Sequence, residues 1–127
     1  MQHEKTLFEK IVAGEIPCTK VYEDAETFAF LDINPNALGH TLVIPKMPYK
    51  NIHELTDEVA SAVIKTVKKI SNAISRALTT DGIKIIMNNG AASGQVTFHA
   101  HFHVIPRYDG DKFRSGDHLK YEAGQAE

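Results

Sequence analysis

The chain has 127 residues, 43% hydrophobic and 24% charged, a balance typical of one globular domain that folds in water. Its 14 basic and 16 acidic residues give a formal net charge of −2, which leaves no broad positive field for binding nucleic acid. With a single cysteine, Cys18, and no apolar run long enough to cross a bilayer, we expect a reduced, cytoplasmic protein without a membrane partner.

The first predicted element is a short amphipathic helix. Thr6 can cap its start, and Gly14 suits the left-handed turn that would end it. The apolar residues between them recur at helical spacing and would share one face: Leu7, Phe8, Ile11 and Val12.

Three short strands are predicted next. Apolar residues flank the polar turn 23–26 within the stretch 20–31, which predicts a two-stranded hairpin. After a loop at 34–36, residues 41–44 predict a third strand. It would stop at Pro45, because proline has no backbone N–H to donate.

The longest predicted element is a helix from about Thr56 to Leu78. Along it, apolar residues fall three or four positions apart: Val59, Val63, Val67, Ile70, Ile74 and Leu78. Acidic residues in the first turn, Arg76 near the end and Gly82 just beyond agree with these limits.

Two more strands are predicted around a loop that contains glycines. Residues 83–87 have the continuous apolar pattern of a buried strand, and 88–95 predict the loop. Residues 97–105 predict a last strand that Pro106 would end. Beyond Gly110 the sequence is polar and weakly patterned, so we expect a tail with local order at most.

Three histidines alternate along the last predicted strand: His99, His101 and His103. Because side chains of a strand alternate between its faces, the three imidazoles would share one side. Three neighbouring imidazoles cannot all hold a proton, since each positive charge lowers the pKa of the next. We therefore expect a neutral, nucleophilic ring near pH 7.

Three interpretations of these histidines stay open at the level of sequence. They could form the solvated face of a half-buried strand. They could bind a metal, although no carboxylate or thiolate adjoins the strand to complete a usual ligand set. The third interpretation is attack on phosphorus by one ring, while its neighbours donate to phosphate oxygens or to the leaving group. The small residues of the loop 88–95 favour it, since their backbone could close around a phosphate, although a hairpin connection also needs such residues.

The sequence resembles the histidine triad family, whose signature is three histidines alternating with apolar residues and followed by two more apolar residues. Residues 99–105 match this signature without a gap. Four further segments resemble the family in order and spacing: GEIP at 14–17, LDINP at 31–35, GHTLVIPK at 39–46 and NNGAASGQ at 88–95. The resemblance covers about residues 7–107 and is greatest to bacterial relatives of the Hint branch.

The resemblance implies an α+β fold, with an antiparallel sheet of about five strands flanked by one long and one short helix. Residues 1–127 would form one such domain, with its core at about 6–109 and a tail at about 110–127. Two copies would pair through helix and strand edge into a homodimer with a continuous sheet.

The resemblance also implies a hydrolase that cleaves at the α-phosphorus of a purine nucleotide of the AMP or GMP type, with phosphoramidates or adenylates as substrates. His101 would attack and carry the nucleotidyl group until water removes it, without a cofactor. His99, His103 and a fourth histidine, His40, would orient and assist, although His40 could also be an exposed residue at the start of a strand. Two alternatives stay open: a dinucleoside polyphosphate hydrolase of the Fhit branch, which shares the triad and the pair Pro106 and Arg107, or a nucleotide sensor or scaffold without turnover.

Nucleotide-binding residues follow from the same resemblance. Asp32 would bind the ribose hydroxyls, although it could simply start a turn. The nucleobase pocket would be lined by Leu7, Phe8, Ile11, Phe30 and Ile33. The phosphate would lie near Asn88, Gln95 and the backbone at Val96.

The resemblance fails at a structural zinc site that many bacterial relatives build from a Cys-x-x-Cys pair, a later histidine and the first triad histidine. The matching positions are Thr6, Glu9 and Pro48, which leaves only His99. Because one ligand cannot make a tetrahedral site, we predict no metal.

Overall fold

A computed structural model of the chain describes residues 4–111; the tail predicted from about residue 110 therefore falls, from 112 onward, outside the described residues. Two α-helices are present: α1, Leu7–Val12, and α2, Asp57–Leu78. The strands are β1, Lys20–Glu23; β2, Thr27–Leu31; β3, Thr41–Pro45; β4, Gly82–Ile86; and β5, Phe102–Arg107. Short 3₁₀ turns lie at Ile52–Glu54 and Ala91–Ser93.

The five strands form one antiparallel sheet in the order β1-β2-β3-β5-β4, which confirms the predicted α+β architecture. Helix α2 covers one face and α1 the other. The core under α2 joins sheet residues Ala29, Val43 and Val104 to helix residues Val63, Val67, Ile70 and Ile74. The core under α1 contains Phe8, Ile11, Phe28, Phe30, Leu42 and Ile44. Both faces of β2 and β3 are therefore buried, and the triad histidines lie on the α1 side.

The start of α1 has the predicted cap. The Thr6 hydroxyl accepts a hydrogen bond from the Glu9 N–H, and the Glu9 carboxylate accepts one from the Thr6 N–H. This reciprocal pair is a capping box, and it satisfies backbone donors that a six-residue helix cannot satisfy internally. Gly14 follows with a φ of 80°, as expected for the turn that leaves the helix.

Helix α2 confirms the predicted apolar periodicity and the cap at Thr56, but its end differs from the prediction. The left-handed residue is Thr79, with a φ of 51°, whereas Gly82 begins β4. Glycine is the usual residue in this conformation, because Cβ crowds the carbonyl oxygen there. A β-branched residue at this position therefore stores local strain.

Strand β4 is not the buried strand predicted from its apolar run. Among the described residues it pairs only with β5, and the side chain of Ile85 is 48% exposed. Sequence could not reveal this, because an apolar run does not show whether a strand lies in the middle of a sheet or at its edge.

Strand β5 is shorter at its start and longer at its end than predicted. It begins at Phe102, so residues 97–101 lie outside it, and it continues through Pro106. Within the described residues, β5 pairs with β3 only over 102–104. Pro106 therefore pairs with a residue of β4 but with none of β3. Proline is tolerated at such positions. Likewise, β3 includes Pro45 as its last residue.

Among residues 4–111, no helix combines the length and the apolar character needed to cross a membrane.

Candidate active site

The triad histidines lie beside α1, in a row that His40 extends. Phe8 of α1 contacts the rings of His99 and His101 edge-on, at centroid distances of 5.6 and 5.1 Å. The rings of His101 and His103 are 5.1 Å apart, as are those of His103 and His40. His99, His101 and His40 are buried, which excludes the interpretation of a solvated strand face.

The imidazole of His101 has a defined tautomer. Its Nδ1 lies 2.7 Å from the backbone carbonyl of His99. Because a carbonyl oxygen only accepts, Nδ1 must carry the proton, and Nε2 of the neutral ring keeps its lone pair. His101 is thus held in the form that a nucleophile requires.

His40 and His103 form a directional hydrogen-bond chain. The backbone N–H of Asn36 donates to Nδ1 of His40 at 2.9 Å, so the proton of neutral His40 lies on Nε2. That Nε2 lies 2.9 Å from Nδ1 of His103 and donates to it. The proton of His103 is therefore on Nε2, which can donate a hydrogen bond to another group.

His99 differs from the other two triad residues. Its Nε2 donates to the carbonyl of Pro45 at 2.7 Å, and its Nδ1 lies 2.7 Å from the hydroxyl of Thr6. Both ring nitrogens are thus engaged within the protein. His101 and His103 line an apolar cavity, whereas His99 does not.

All three triad imidazoles are neutral near pH 7. Burial lowers the pKa of His99, His101 and His103 below the usual value for histidine. For His103, burial and then the charges of His101 and His40 bring the pKa to about 3. The carbonyl of His99 and the charge of Asp32 partly oppose the lowering at His101. The neutrality matches the sequence prediction, but its largest cause is burial rather than mutual repulsion.

An apolar cavity of about 240 Å³ opens beside His101 and His103. It gathers every residue predicted for the nucleoside: Leu7, Phe8, Ile11, Phe30, Asp32 and Ile33. Ile33 is 79% exposed and Leu7 49% exposed, so both present apolar surface that a flat ring could cover.

The cavity also has lining residues that sequence reasoning missed: Ile16, Pro17, Cys18, Asn34 and Leu42. Leu42 lies there because β3 places it between Phe30 on β2 and His103 on β5, and only the strand register reveals that. The chain reverses after Gly14, which brings the half-buried Cys18 to the same cavity. Burial raises the pKa of the Cys18 thiol, so this part of the wall is uncharged.

The carboxylate of Asp32 both makes a turn and lies at the cavity, the two possibilities that the sequence left open. Its Oδ1 accepts the backbone N–H of Asn34 at 2.9 Å, which makes the turn. Its Oδ2 lies 3.6 Å from Nε2 of His40, and the residue lines the cavity. Forming the turn therefore does not remove Asp32 from the site.

The loop predicted to hold phosphate is organised by Gln95. The side-chain oxygen of Gln95 accepts the Gly90 N–H at 2.8 Å, and its amide nitrogen donates to the carbonyls of Lys50 and Thr97 at 2.6 and 3.0 Å. Gly90 and Gly94 have φ angles of 89° and 102°, which glycine adopts freely. The predicted phosphate residues Asn88, Gln95 and Val96 do not line the apolar cavity.

A family model described as the HIT domain matches residues 13–110. The chain belongs to the HIT family. It is 44% identical over 114 residues to an adenylylsulfatase of Arabidopsis thaliana, covering 90% of this chain and 58% of that protein. It is 44% identical over 101 residues to an adenosine 5'-monophosphoramidase of Schizosaccharomyces pombe, covering 80% and 73%. A crystal structure of a Hit-like protein from Bartonella henselae superimposes with a TM-score of 0.84 at 43% identity, covering 89% of this chain and 86% of that one.

One group of side chains in this HIT protein has the composition of a metal site. Asp32, His40 and His103 each place one potential ligand atom within 4.8 Å of the others. If Nε2 of His40 bound a metal, however, the ring proton would move to Nδ1 and face the Asn36 N–H. The hydrogen bonds around His40 therefore favour a hydrogen-bond donor to His103 over a metal ligand.

At the two positions that the resemblance matched to a Cys-x-x-Cys pair, Thr6 and Glu9 form the capping box. The Thr6 hydroxyl is hydrogen-bonded to Nδ1 of His99, the ring nitrogen that faces Thr6.

The HIT protein also has a larger open groove of about 600 Å³, between the β1–β2 turn and α2. Its wall contains acidic residues of the turn and lysines of α2 but no histidine. We place the candidate active site at the smaller cavity, because it adjoins the oriented imidazoles of His101 and His103.

Proposed function

We propose that this HIT protein hydrolyses purine nucleoside phosphoramidates or adenylates, with His101 as the nucleophile at the α-phosphorus. One observation carries the proposal: the His99 carbonyl accepts the Nδ1 proton of His101, which leaves the Nε2 lone pair on a ring that lines the nucleoside-sized cavity. Burial keeps that ring neutral, because it lowers the pKa. A neutral imidazole can attack phosphorus, whereas an imidazolium cannot.

In the first displacement, Nε2 of His101 forms a bond to phosphorus as the bond to the leaving group breaks. A leaving amine must gain a proton, which solvent water supplies, because neutral His103, with a pKa of about 3, does not release its ring proton. The Nε2–H of His103, with His40 hydrogen-bonded behind it, donates a hydrogen bond to the leaving group. The phosphorylated imidazole is cationic. The His99 carbonyl and the negative charge of Asp32 stabilise it, since both favour the charged form of His101.

In the second displacement, the hydroxide left by that proton transfer attacks the same phosphorus, and the bond from phosphorus to Nε2 of His101 breaks, which returns the lone pair to the ring. The products are a nucleoside monophosphate and the free amine, and all four histidines recover their starting protonation. His103 thus keeps its proton throughout and acts as a hydrogen-bond donor.

The substrate's nucleoside would occupy the apolar cavity, with the base against Leu7, Phe30 and Ile33 and the ribose hydroxyls at Asp32. The phosphate would lie at the loop of Asn88, Gln95 and Val96. Because the Gln95 amide is hydrogen-bonded within this loop, we propose that Gln95 shapes the loop so that its backbone can bind the phosphate.

Two relatives support this substrate class through their names, an adenylylsulfatase and an adenosine 5'-monophosphoramidase. Both names describe loss of a small group from an adenylate phosphorus. The cavity volume of about 240 Å³ fits a mononucleoside.

We also propose a homodimer formed through β4 and α2. In the part of the chain that the structure describes, β4 pairs on one side only, and Ile85 on β4 and Ile64 on α2 are about half exposed. The other edge strand, β1, carries Lys20 and Glu23, charges that discourage edge pairing. Sedimentation equilibrium tests the dimer: Ile85→Lys should dissociate it, and a monomeric parent protein would contradict it.

The function is tested by offering adenosine phosphoramidate and diadenosine polyphosphate separately. The phosphoramidate should be hydrolysed faster, and rapid quenching should trap a nucleotidyl group on His101. His101→Ala should lose turnover by many orders of magnitude yet keep nucleotide affinity, whereas the exposed control His53→Ala should keep both. Faster AMP release from the polyphosphate would indicate the Fhit-type alternative, and binding without turnover of either would indicate a sensor.

A further inference from the structure

The nucleophile is not anchored by the sheet. Strand β5 begins at Phe102, so His99 and His101 both precede it. The segment 97–101 is held instead by individual hydrogen bonds, of which one joins the Ala100 N–H to the Tyr49 carbonyl at 2.7 Å. Two more hydrogen bonds hold the ring of His99. They matter for His101, because the backbone carbonyl of His99 orients the His101 ring.

The direction of these contacts can be assigned. The Pro45 carbonyl only accepts, so Nε2 of His99 carries the proton and Nδ1 carries a lone pair. The Thr6 hydroxyl must therefore donate to Nδ1. The same hydroxyl accepts from the Glu9 N–H at 3.0 Å, which points its lone pair at α1 and its proton at His99.

We propose that Thr6 is a positioning residue for the nucleophile: its hydroxyl, oriented by the α1 cap, fixes the ring of His99, whose carbonyl holds His101 in its attacking tautomer. The inference rests on the proposed function of His101. It gives the capping box of α1 a role in the reaction, through a residue that does not touch the substrate.

Loss of the Thr6 hydroxyl would disturb the reaction centre through the ring of His99. The His99 ring is 0% exposed, so an unpaired Nδ1 could not turn to water. The ring would have to move or exchange its tautomer, and either change gives up the hydrogen bond to Pro45. Because segment 97–101 lacks strand pairing, the His99 carbonyl would move with the ring.

Three substitutions separate this role from helix capping. Thr6→Val keeps the shape but neither accepts from Glu9 nor donates to His99. Thr6→Asp keeps an acceptor for the cap but, when ionised, has no proton to donate. Thr6→Ser keeps both functions. The matched control is Thr56→Val, because Thr56 caps α2 through the same type of bond, at 3.1 Å, with no histidine among its described partners.

With adenosine phosphoramidate as substrate, Thr6→Val and Thr6→Asp should each lower kcat by about 10- to 100-fold and change KM by less than about 2-fold, as expected for a misplaced nucleophile. Thr6→Ser and Thr56→Val should stay within about 3-fold of the parent protein in both constants. Full kcat in Thr6→Val, or recovery of kcat in Thr6→Asp, would overturn the proposal, since the second result would mean that only the cap matters.

A spectroscopic readout separates this proposal from the proposed function. In ¹⁵N-labelled protein, the ring nitrogens of His99 and His101 should report protonated Nε2 and protonated Nδ1, respectively. Thr6→Val should shift both residues towards mixed tautomers, whereas Thr56→Val should shift neither. Unchanged histidine signals in Thr6→Val would refute the positioning role. A parent protein that lacks turnover but shows these shifts would refute the proposed function alone.

Discussion

Lowering the pH from 7 to 5 should destabilise the protein through His103. Burial, together with the charges of His101 and His40, lowers the pKa of His103 to about 3, whereas an unfolded histidine titrates near about 6.5. Between these values the unfolded chain binds a proton that the folded protein does not. Stability is therefore fully present above about pH 6.5 and falls as the pH falls towards 3.

The size of the effect follows from proton linkage. Between pH 7 and pH 5, protonation stabilises one unfolded histidine by about 2 kcal/mol, while a folded group with a pKa of about 3 gains almost nothing. Because the ring of His103 is only partly buried, solvent reduces this figure, and we expect about 1–2 kcal/mol from His103.

The measurement is urea unfolding at both pH values for the parent protein, His103→Gln and the exposed control His53→Gln. Glutamine can still accept the hydrogen bond from His40 but does not titrate. Between pH 7 and 5, His103→Gln should lose about 1–2 kcal/mol less stability than the parent protein, and His53→Gln should not share this protection. If His103→Gln and the parent protein lost equal stability, His103 would not be held neutral by the fold, and the assignment of its tautomer would lose its support.

Three further substitutions test the fold and the cavity. Thr79→Gly should raise the free energy of unfolding by about 0.5–1 kcal/mol, because glycine relieves the left-handed strain at the end of α2, and its greater flexibility in the unfolded chain offsets only part of this gain. An unchanged free energy in urea unfolding would contradict that strain. Gly39→Ala should lower the free energy of unfolding by about 1–3 kcal/mol, because Gly39 has a φ of 90° and an added Cβ would meet the Cδ1 of Leu78 at 2.7 Å. An unchanged free energy of unfolding would mean that α2 can shift. Cys18→Phe should partly fill the cavity and weaken AMP binding, measured by calorimetry, at least about 10-fold. Cys18→Ala should bind AMP nearly as well as the parent protein. Equal AMP affinities of the two variants would mean that the nucleoside binds elsewhere.

Local patterns were sufficient to predict the helices and the hairpin. The apolar period of α2, the caps at Thr6 and Thr56 and the turn after β1 all depend on residues within a few positions of one another. The alternating histidines indicated a chemical site for the same reason, because few other arrangements require that residue type at that spacing.

Contacts between distant segments decided what local patterns could not show. β4 is an edge strand because of strand order, and β5 begins late because the chain before it is held by hydrogen bonds to Tyr49, Pro45 and Thr6 rather than by a neighbouring strand. Leu42 lines the cavity only because of its register with its neighbours.

The same division applies to the chemistry of the site. Sequence alone supplied the chemical groups of the proposed site, since imidazole at His101 and His103 and carboxylate at Asp32 are properties of the side chains themselves. Only the tertiary structure decided which nitrogen of each ring holds the proton and how far burial lowers each pKa. Those properties depend on carbonyls, N–H groups and neighbouring side chains brought together from separate parts of the chain, which no spacing along the sequence encodes.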